Sequence, residues 1–151
     1  MSVYTKQIST DEIDDLLTVF DQYMVFYQQR SDPAKYKRYL SERLSNQEAT
    51  VFIAYNPKHE PVGFVLNYHC FSSVSLGKVI VLNDLFVIES HRQQGIANRL
   101  IDCAIDLAKS TGSIRVDLST AKTNSTAQAL YEKLGFVKDQ DYLNYSLATI
   151  D

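Results

Sequence analysis

From Lys78 to Val87 the chain is apolar at almost every position, interrupted only at Asn83-Asp84. A strand with one wet face alternates apolar and polar residues, whereas an unbroken run belongs in a sheet covered on both faces. Such a sheet needs helices on each side, and the flanking sequence supplies them. After Glu89-Ser90-His91-Arg92-Gln93-Gln94-Gly95, the residues Ala97, Leu100, Ile101, Ala104, Leu107 and Ala108 recur at helical spacing. Ahead of the run, Ser9-Thr10-Asp11-Glu12 reads as a capping box, a hydroxyl at the cap and a glutamate three residues on. Behind the box, Ile13, Leu16, Leu17, Phe20, Met24 and Tyr27 fall on one helical face. Asp32-Pro33 signals a second start, with Tyr36, Tyr39, Leu40 and Leu44 as its apolar stripe.

The remaining segments complete an alternating α/β order. Val3 to Ile8, Thr50 to Tyr55 and Val62 to about Phe71 read as strands, the last two separated by the turn Asn56 to Pro61. Ser113 to Ser119 reads as a strand, Ser125 to Leu134 as a helix and Gly135 as its stop. Phe136-Val137 and Tyr142 to Ala148 are expected as closing antiparallel strands. The order is β-α-α-β-β-β-α-β-α-β-β: an α/β fold with a mixed sheet and helices on both faces. With 151 residues, no repeat and no linker, residues 1–151 are expected to form a single domain.

Composition narrows the function. A formal charge of −3 with no basic stripe argues against nucleic acid as a partner. No apolar run approaches the ~18 residues of a membrane span, and the first residues lack a signal-peptide pattern, so no membrane association and a cytoplasmic location are expected. Cys70 and Cys103 lack metal-type spacing and read as two reduced core thiols, and no metal is expected. His59, His69 and His91 occupy no motif position.

The turn between Val87 and Asn98 carries the chemistry. A buried strand that runs through a polar turn into a helix exposes the helix's first amides and its positive dipole end. With glycine permitting close approach, this makes a phosphate site, to which Arg92 is expected to add a charge-assisted contact. A P-loop would need a lysine and a hydroxyl after its second glycine, and Gln94-Gly95-Ile96-Ala97-Asn98 has neither. A dinucleotide fingerprint would need three glycines after the first strand; here there is one, past mid-chain.

Arg92-Gln93-Gln94-Gly95-Ile96-Ala97 resembles the arginine/glutamine-x-x-glycine-x-glycine/alanine turn of the GNAT superfamily of N-acetyltransferases. The segment from Asn124 to Phe136, with Ala127, Tyr131 and Gly135-Phe136, is similar to that family's second signature. The resemblance covers essentially the whole chain. It implies the acyl-CoA N-acyltransferase fold: a mixed, mostly antiparallel, splayed six- to seven-stranded sheet with helices on both faces. It also implies acetyl-CoA (coenzyme A) as cofactor and direct attack by a primary amine in a ternary complex. Main-chain groups of Leu85, Phe86 and Val87 would pair with the pantetheine, beside a bulge at Asn83-Asp84, and the Val87 amide would polarise the thioester carbonyl. Amides of Gln93, Gln94, Gly95, Ile96, Ala97 and Asn98 would hold the pyrophosphate, and Asn124, Ala127 and Tyr131 would line the pantetheine.

In the same resemblance Tyr131 is the general acid. Asp84 is either the base or a structural carboxylate. Diamine acetyltransferases carry a glutamate one place earlier, where this chain has Asn83, which favours a water relay. Acceptor contacts are expected from Tyr27, Tyr68, Phe71, Ser72, Asn83 and Asp84, with Ser73 and Asp32 nearby. Asp32 reads first as a helix cap. The phrases Phe26 to Asp32, Phe71-Ser72-Ser73 and Asn83 to Val87 are similar to a subgroup with histone-, polyamine- and D-amino-acid-acetylating members. The expected acceptor is therefore a small amine, a polyamine or an amino acid. One alternative is a protein amine, a histone lysine or an N-terminus. Another is a non-catalytic acetyl-CoA-binding regulatory module. That subgroup associates through late strands, so a homodimer, or alternatively a homotetramer, is expected through Phe136 to Ala148, with Tyr142, Leu143 and Tyr145.

Overall fold

The computed structural model describes residues 2–150. The chain divides into two compact units, Met1–Ser119 and Thr120–Asp151. The first holds a five-stranded sheet in sequential order: β1 (Tyr4–Gln7), β2 (Ala49–Tyr55), β3 (Pro61–Ser72), β4 (Gly77–Val87) and β5 (Arg115–Asp117). The pairs from β1 to β4 are antiparallel, and β5 joins β4 in parallel. Helix α1 spans Ile13–Phe26, α2 Pro33–Ser45 and α3 Ile96–Ser110.

The helices begin where their caps dictate. The Ser9 N–H donates to Glu12 Oε2 (3.2 Å) and Ser9 Oγ accepts from the Asp11 N–H (3.2 Å), so a single 3₁₀ turn leads into α1. Asp32 accepts from the Lys35 N–H and Pro33 opens α2. On one face of the sheet, Leu16, Val19 and Phe20 of α1 and Tyr36 and Leu40 of α2 pack with Val51, Ile53, Phe64, Leu66 and Phe86. On the other, Ile80 packs with Leu107 and Ala108 of α3, and Gly63 lies against Leu100. Each fully buried Leu or Val in these layers contributes about 1.5–3 kcal/mol. Val79, Ile80, Leu82, Phe86 and Val87 of β4 are all buried, as a strand covered on both faces requires.

Register along β3 and β4 fixes which side each residue takes. Tyr68 pairs with Val81 and Asn67 with Leu82, but the next pair is Leu66 with Asp84, so Asn83 is an extra residue, a β-bulge. Side chains alternate with period two, and Ile80 faces α3. An unbulged β4 would therefore aim Asp84 and Phe86 at α3 as well. The bulge moves both to the α1/α2 face, where Phe86 joins the core beside Phe64.

The second unit holds α4 (Ser125–Lys133), with Asn124 at its N-cap and Gly135 at φ +100° just past its end. The closing strands expected at Phe136-Val137 and Tyr142 to Ala148 do not form, so the sheet has five strands among the described residues rather than six or seven. A strand needs a hydrogen-bonded neighbour, and this unit contains no other strand to pair with. Val137, Tyr142, Leu143, Tyr145 and Leu147 are consequently exposed. The two cysteines are free, but neither is a core thiol: Cys70 is exposed and Cys103 half-buried. Cys70 lies on the part of β3 that extends past the helical layers toward the hairpin tip, where burial has ended. No helix among the described residues is long and apolar enough to cross a membrane.

Candidate active site

The bulge delivers a carboxylate to the α1/α2 face, and that carboxylate is held from two sides. Tyr23 of α1 donates its hydroxyl to Asp84 Oδ1 at 2.7 Å, and Asn83 Nδ2 donates to Asp84 Oδ2 at 3.0 Å. The Tyr23 ring is wedged among Phe20 (5.9 Å between centroids), Tyr27 (4.9 Å), Phe64 (5.4 Å, perpendicular) and Phe86 (5.7 Å). Burial pushes the Tyr23 phenol well above its usual range, and the hydrogen bond to Asp84 pushes the same way, so the hydroxyl remains a donor. Tyr68, on the same face, shares a 2.7 Å hydroxyl contact with Tyr39 of α2. Its phenol is also pushed up, first by burial, then by the Tyr39 bond, with a contribution from the Asp84 charge.

Tyr27, Tyr68, Asn83 and Asp84 of the expected acceptor set thus gather near one another. Phe71 and Ser72 do not join them. They pair with Lys78 and Gly77 near the tip of the β3–β4 hairpin, roughly 17 Å along the strand from the Leu66–Asp84 pair at ~3.4 Å per residue. There they line, with Ser73, a shallow hollow of about 430 Å³. A second hollow, about 380 Å³, lies beside Asn56, His91, Gln94 and Arg99, and Asp84 lines neither. Asp32 caps α2. Tyr23 was not singled out from the sequence. The available signal was its place three residues after Phe20 on the buried stripe of α1, because a buried tyrosine must find a partner for its hydroxyl.

Beyond β4 the chain makes a 3₁₀ turn (Glu89–His91), an extended Arg92, Gln93 at φ +62° and Gly95 at φ +78°. Gly95 is the N-cap of α3 and brings no side chain to the helix start. The N–H groups of Ile96, Ala97 and Asn98 therefore have neither an intrahelical acceptor nor a side-chain cap. A Cβ on Gly95 would meet nothing within 4 Å, so the left-handed backbone, not crowding, is what calls for glycine. Arg92, expected to face a phosphate, donates Nε to the Val87 carbonyl at 2.8 Å and lies 5.5 Å from the ring centres of both Phe26 and Phe86. It fastens the turn to the end of β4.

The pairing of β5 with β4 covers only Val79 to Val81. From Leu82 to Val87, β4 continues with no strand of the first unit on that edge. An extended ligand can add to such an edge through main-chain hydrogen bonds. In the second unit, Asn124 Oδ1 accepts from the Ala127 N–H at 3.1 Å. Two turns further on, the Tyr131 ring packs 5.8 Å from Phe136, and the Phe136 N–H donates to the Tyr131 carbonyl.

Comparison with known proteins gives a consistent picture. A model of the acetyltransferase (GNAT) family matches residues 13–136. An uncharacterized N-acetyltransferase of Bacillus subtilis (strain 168), YhfO, is 36% identical over 142 residues, which is 94% of this chain and 95% of that protein. The thialysine N-epsilon-acetyltransferase of Caenorhabditis elegans is 25% identical over 130 residues, 86% of this chain and 80% of that protein. The crystal structure of a probable acetyltransferase is similar with a TM-score of 0.91 and 34% identity, covering 98% of this chain and 99% of that one.

Proposed function

This chain belongs to the GNAT family of acetyltransferases, and from that premise we propose that it acetylates a small primary amine, a polyamine or an amino acid, with acetyl-CoA as donor. The observation that carries the reading is the sequence of features along one strand. A bulge at Asn83 interrupts an edge, Leu82 to Val87, that no other strand of the first unit pairs with, and the uncapped start of α3 follows. The likeness to a relative named for acetylating thialysine, a small amine, supports the choice of acceptor.

The residues fit the donor. The N–H groups of Leu85 and Val87 offer a strand edge to the pantetheine, whereas Phe86 turns its main-chain groups to β3 and the Val87 carbonyl accepts from Arg92; the amides from Gln93 to Asn98 offer a cradle to the pyrophosphate. When bound, acetyl-CoA supplies an acyl thioester ready for attack. The Val87 amide would stabilise negative charge on the carbonyl oxygen, as preorganised donors do. An aliphatic amine of pKa near 10.4 is neutral in only about one molecule in a few thousand at pH 7, so a proton must be removed. Asp84 is assigned to accept it through water, because Asn83 stands where a direct glutamate base would be. Asn124 and Ala127 would line the pantetheine, and Tyr131 would return a proton to the leaving sulfur.

The test is a panel of small amines and peptides read by release of free thiol. Turnover on small amines is expected; turnover on peptides alone would refute the acceptor assignment. Tyr131→Phe is expected to lower turnover while leaving coenzyme A affinity nearly unchanged, and unchanged turnover would remove Tyr131 as the acid. The exposed apolar residues from Val137 to Leu147 favour a homodimer formed through this late segment. Sedimentation as a monomer at micromolar concentration would contradict that.

A further inference from the structure

We propose that Tyr23 is the positioning residue of the acceptor site, locking Asp84 in place as an ammonium-binding carboxylate beside Tyr68. The inference rests on the acetyltransferase reading and names the acceptor's chemistry as cationic.

Asp84 is half-buried, and Tyr23 Oη and Asn83 Nδ2, both neutral, donate to it. Among the described residues no Lys, Arg or His forms an ion pair with it. The guanidinium of Arg92 is turned to the Val87 carbonyl and to the faces of Phe26 and Phe86. A partly desolvated carboxylate without a counter-charge is electrostatically incomplete, and a positively charged ligand completes it. Its capacity suffices: an ionised carboxylate has about four acceptor sites, of which these donors take two.

The surroundings suit the same ligand. Tyr23 bonds the carboxylate, Tyr27 packs on the Tyr23 ring, and Tyr68 lies near enough for the Asp84 charge to act on its phenol; aromatic faces attract ammonium groups. The Tyr23 ring, gripped by Phe20, Phe64 and Phe86 on three elements, fixes the hydroxyl and hence the carboxylate rotamer. Tyr39, bonded to Tyr68, ties α2 to the same face.

Tyr23→Phe keeps the ring and removes only the donor, so it separates positioning from packing. The acceptor KM for spermidine and thialysine should rise about tenfold, the worth of a hydrogen bond to a charged group. The acetyl-CoA KM and the melting temperature should barely move. Calorimetry of spermidine binding to the coenzyme-A-saturated protein should show the same loss. In an Asp84→Asn background, Tyr23→Phe should produce no further loss of spermidine affinity, because no carboxylate remains to be positioned. Unchanged acceptor KM in Tyr23→Phe, an equal rise in both substrates' KM, or an undiminished effect in the Asp84→Asn background would each overturn the assignment. A folded wild-type protein whose thiol release is stimulated by none of the primary amines tested refutes the acetyltransferase reading, and this inference falls with it. A working wild type indifferent to Tyr23→Phe refutes the Tyr23 assignment alone.

Discussion

Gly63→Ala probes how closely the end of β4 must be held. Gly63 pairs with Val87, and a Cβ placed on it would lie 2.8 Å from the Phe86 carbonyl oxygen, 3.4 Å from Leu100 Cδ1 and 3.4 Å from Val87 Cα. Carbon–oxygen contacts between strands settle near ~3.3–3.6 Å, so the strands must part by roughly 0.5 Å. Overpacking of this kind costs about 1–3 kcal/mol. The backbone of Gly63 is outside the left-handed region, so alanine recovers about 0.4–1 kcal/mol through a less flexible unfolded chain. A net loss of about 1–2 kcal/mol would lower the melting temperature by roughly 2–8 °C for a chain of this length. Val87, whose Cα is displaced with it, is the residue whose amide is assigned to the thioester carbonyl. Misplacement by 1 Å can cost ~100-fold in rate, so half that shift is expected to cost about tenfold in turnover. Gly77→Ala is the control. Its Cβ would also meet an atom at 2.8 Å, Cγ2 of Ile114, but at the opposite end of β4 from Val87. It should lose comparable stability, about 1–3 kcal/mol, and keep full activity. Thermal melts and thiol release on both variants decide the matter. If Gly63→Ala melts and turns over like its parent, the closeness of β3 and β4 does not set the geometry of the donor site.

Two further outcomes follow from other parts of the fold. Gly95→Ala places an L residue at φ +78° with open space around the new methyl, so strain of roughly 1–2 kcal/mol drives the turn out of its left-handed form unless a ligand holds it there. Calorimetry should find coenzyme A binding about tenfold weaker, and full affinity would show that the amides of this turn do not hold the pyrophosphate. Lys6 and then Ser9 hold the Glu12 carboxyl down at about 2. Its contribution to stability is present above the unfolded glutamate value near ~4.3 and is lost as pH falls toward 2. The urea-midpoint difference between wild type and Glu12→Gln should therefore shrink from pH 5 to pH 3, and a constant difference would contradict the linkage.

Much of this architecture was legible where local chemistry decides it. The capping box at Ser9, the Asp32-Pro33 start, the turn glycine at Gly95 and the two-sided burial of β4 depend on neighbours in sequence, and all are present. The bulge at Asn83 was legible through the family resemblance, with the polar pair in an apolar run marking its place. What escaped were features decided by distant partners. Residues 136–150 have strand-like composition but no strand in their own unit to pair with. The aim of Arg92 depends on Phe26, sixty-six positions earlier by its number, and on the Val87 carbonyl. The role of Tyr23 depends on Asp84, a residue of another element. Phe71 and Ser72 match the subgroup's phrasing, yet the length of β3 carries them away from Asp84.

The extra residue at position 83 works by count as much as by side chain. Any amino acid there keeps Asp84 and Phe86 on their present side. Losing one residue between Leu82 and Asp84 would send both across the sheet in a single step. The carboxylate and the ring that grips its tyrosine are therefore tied to one switch of parity, so this pair can be gained or lost whole but not eroded piece by piece.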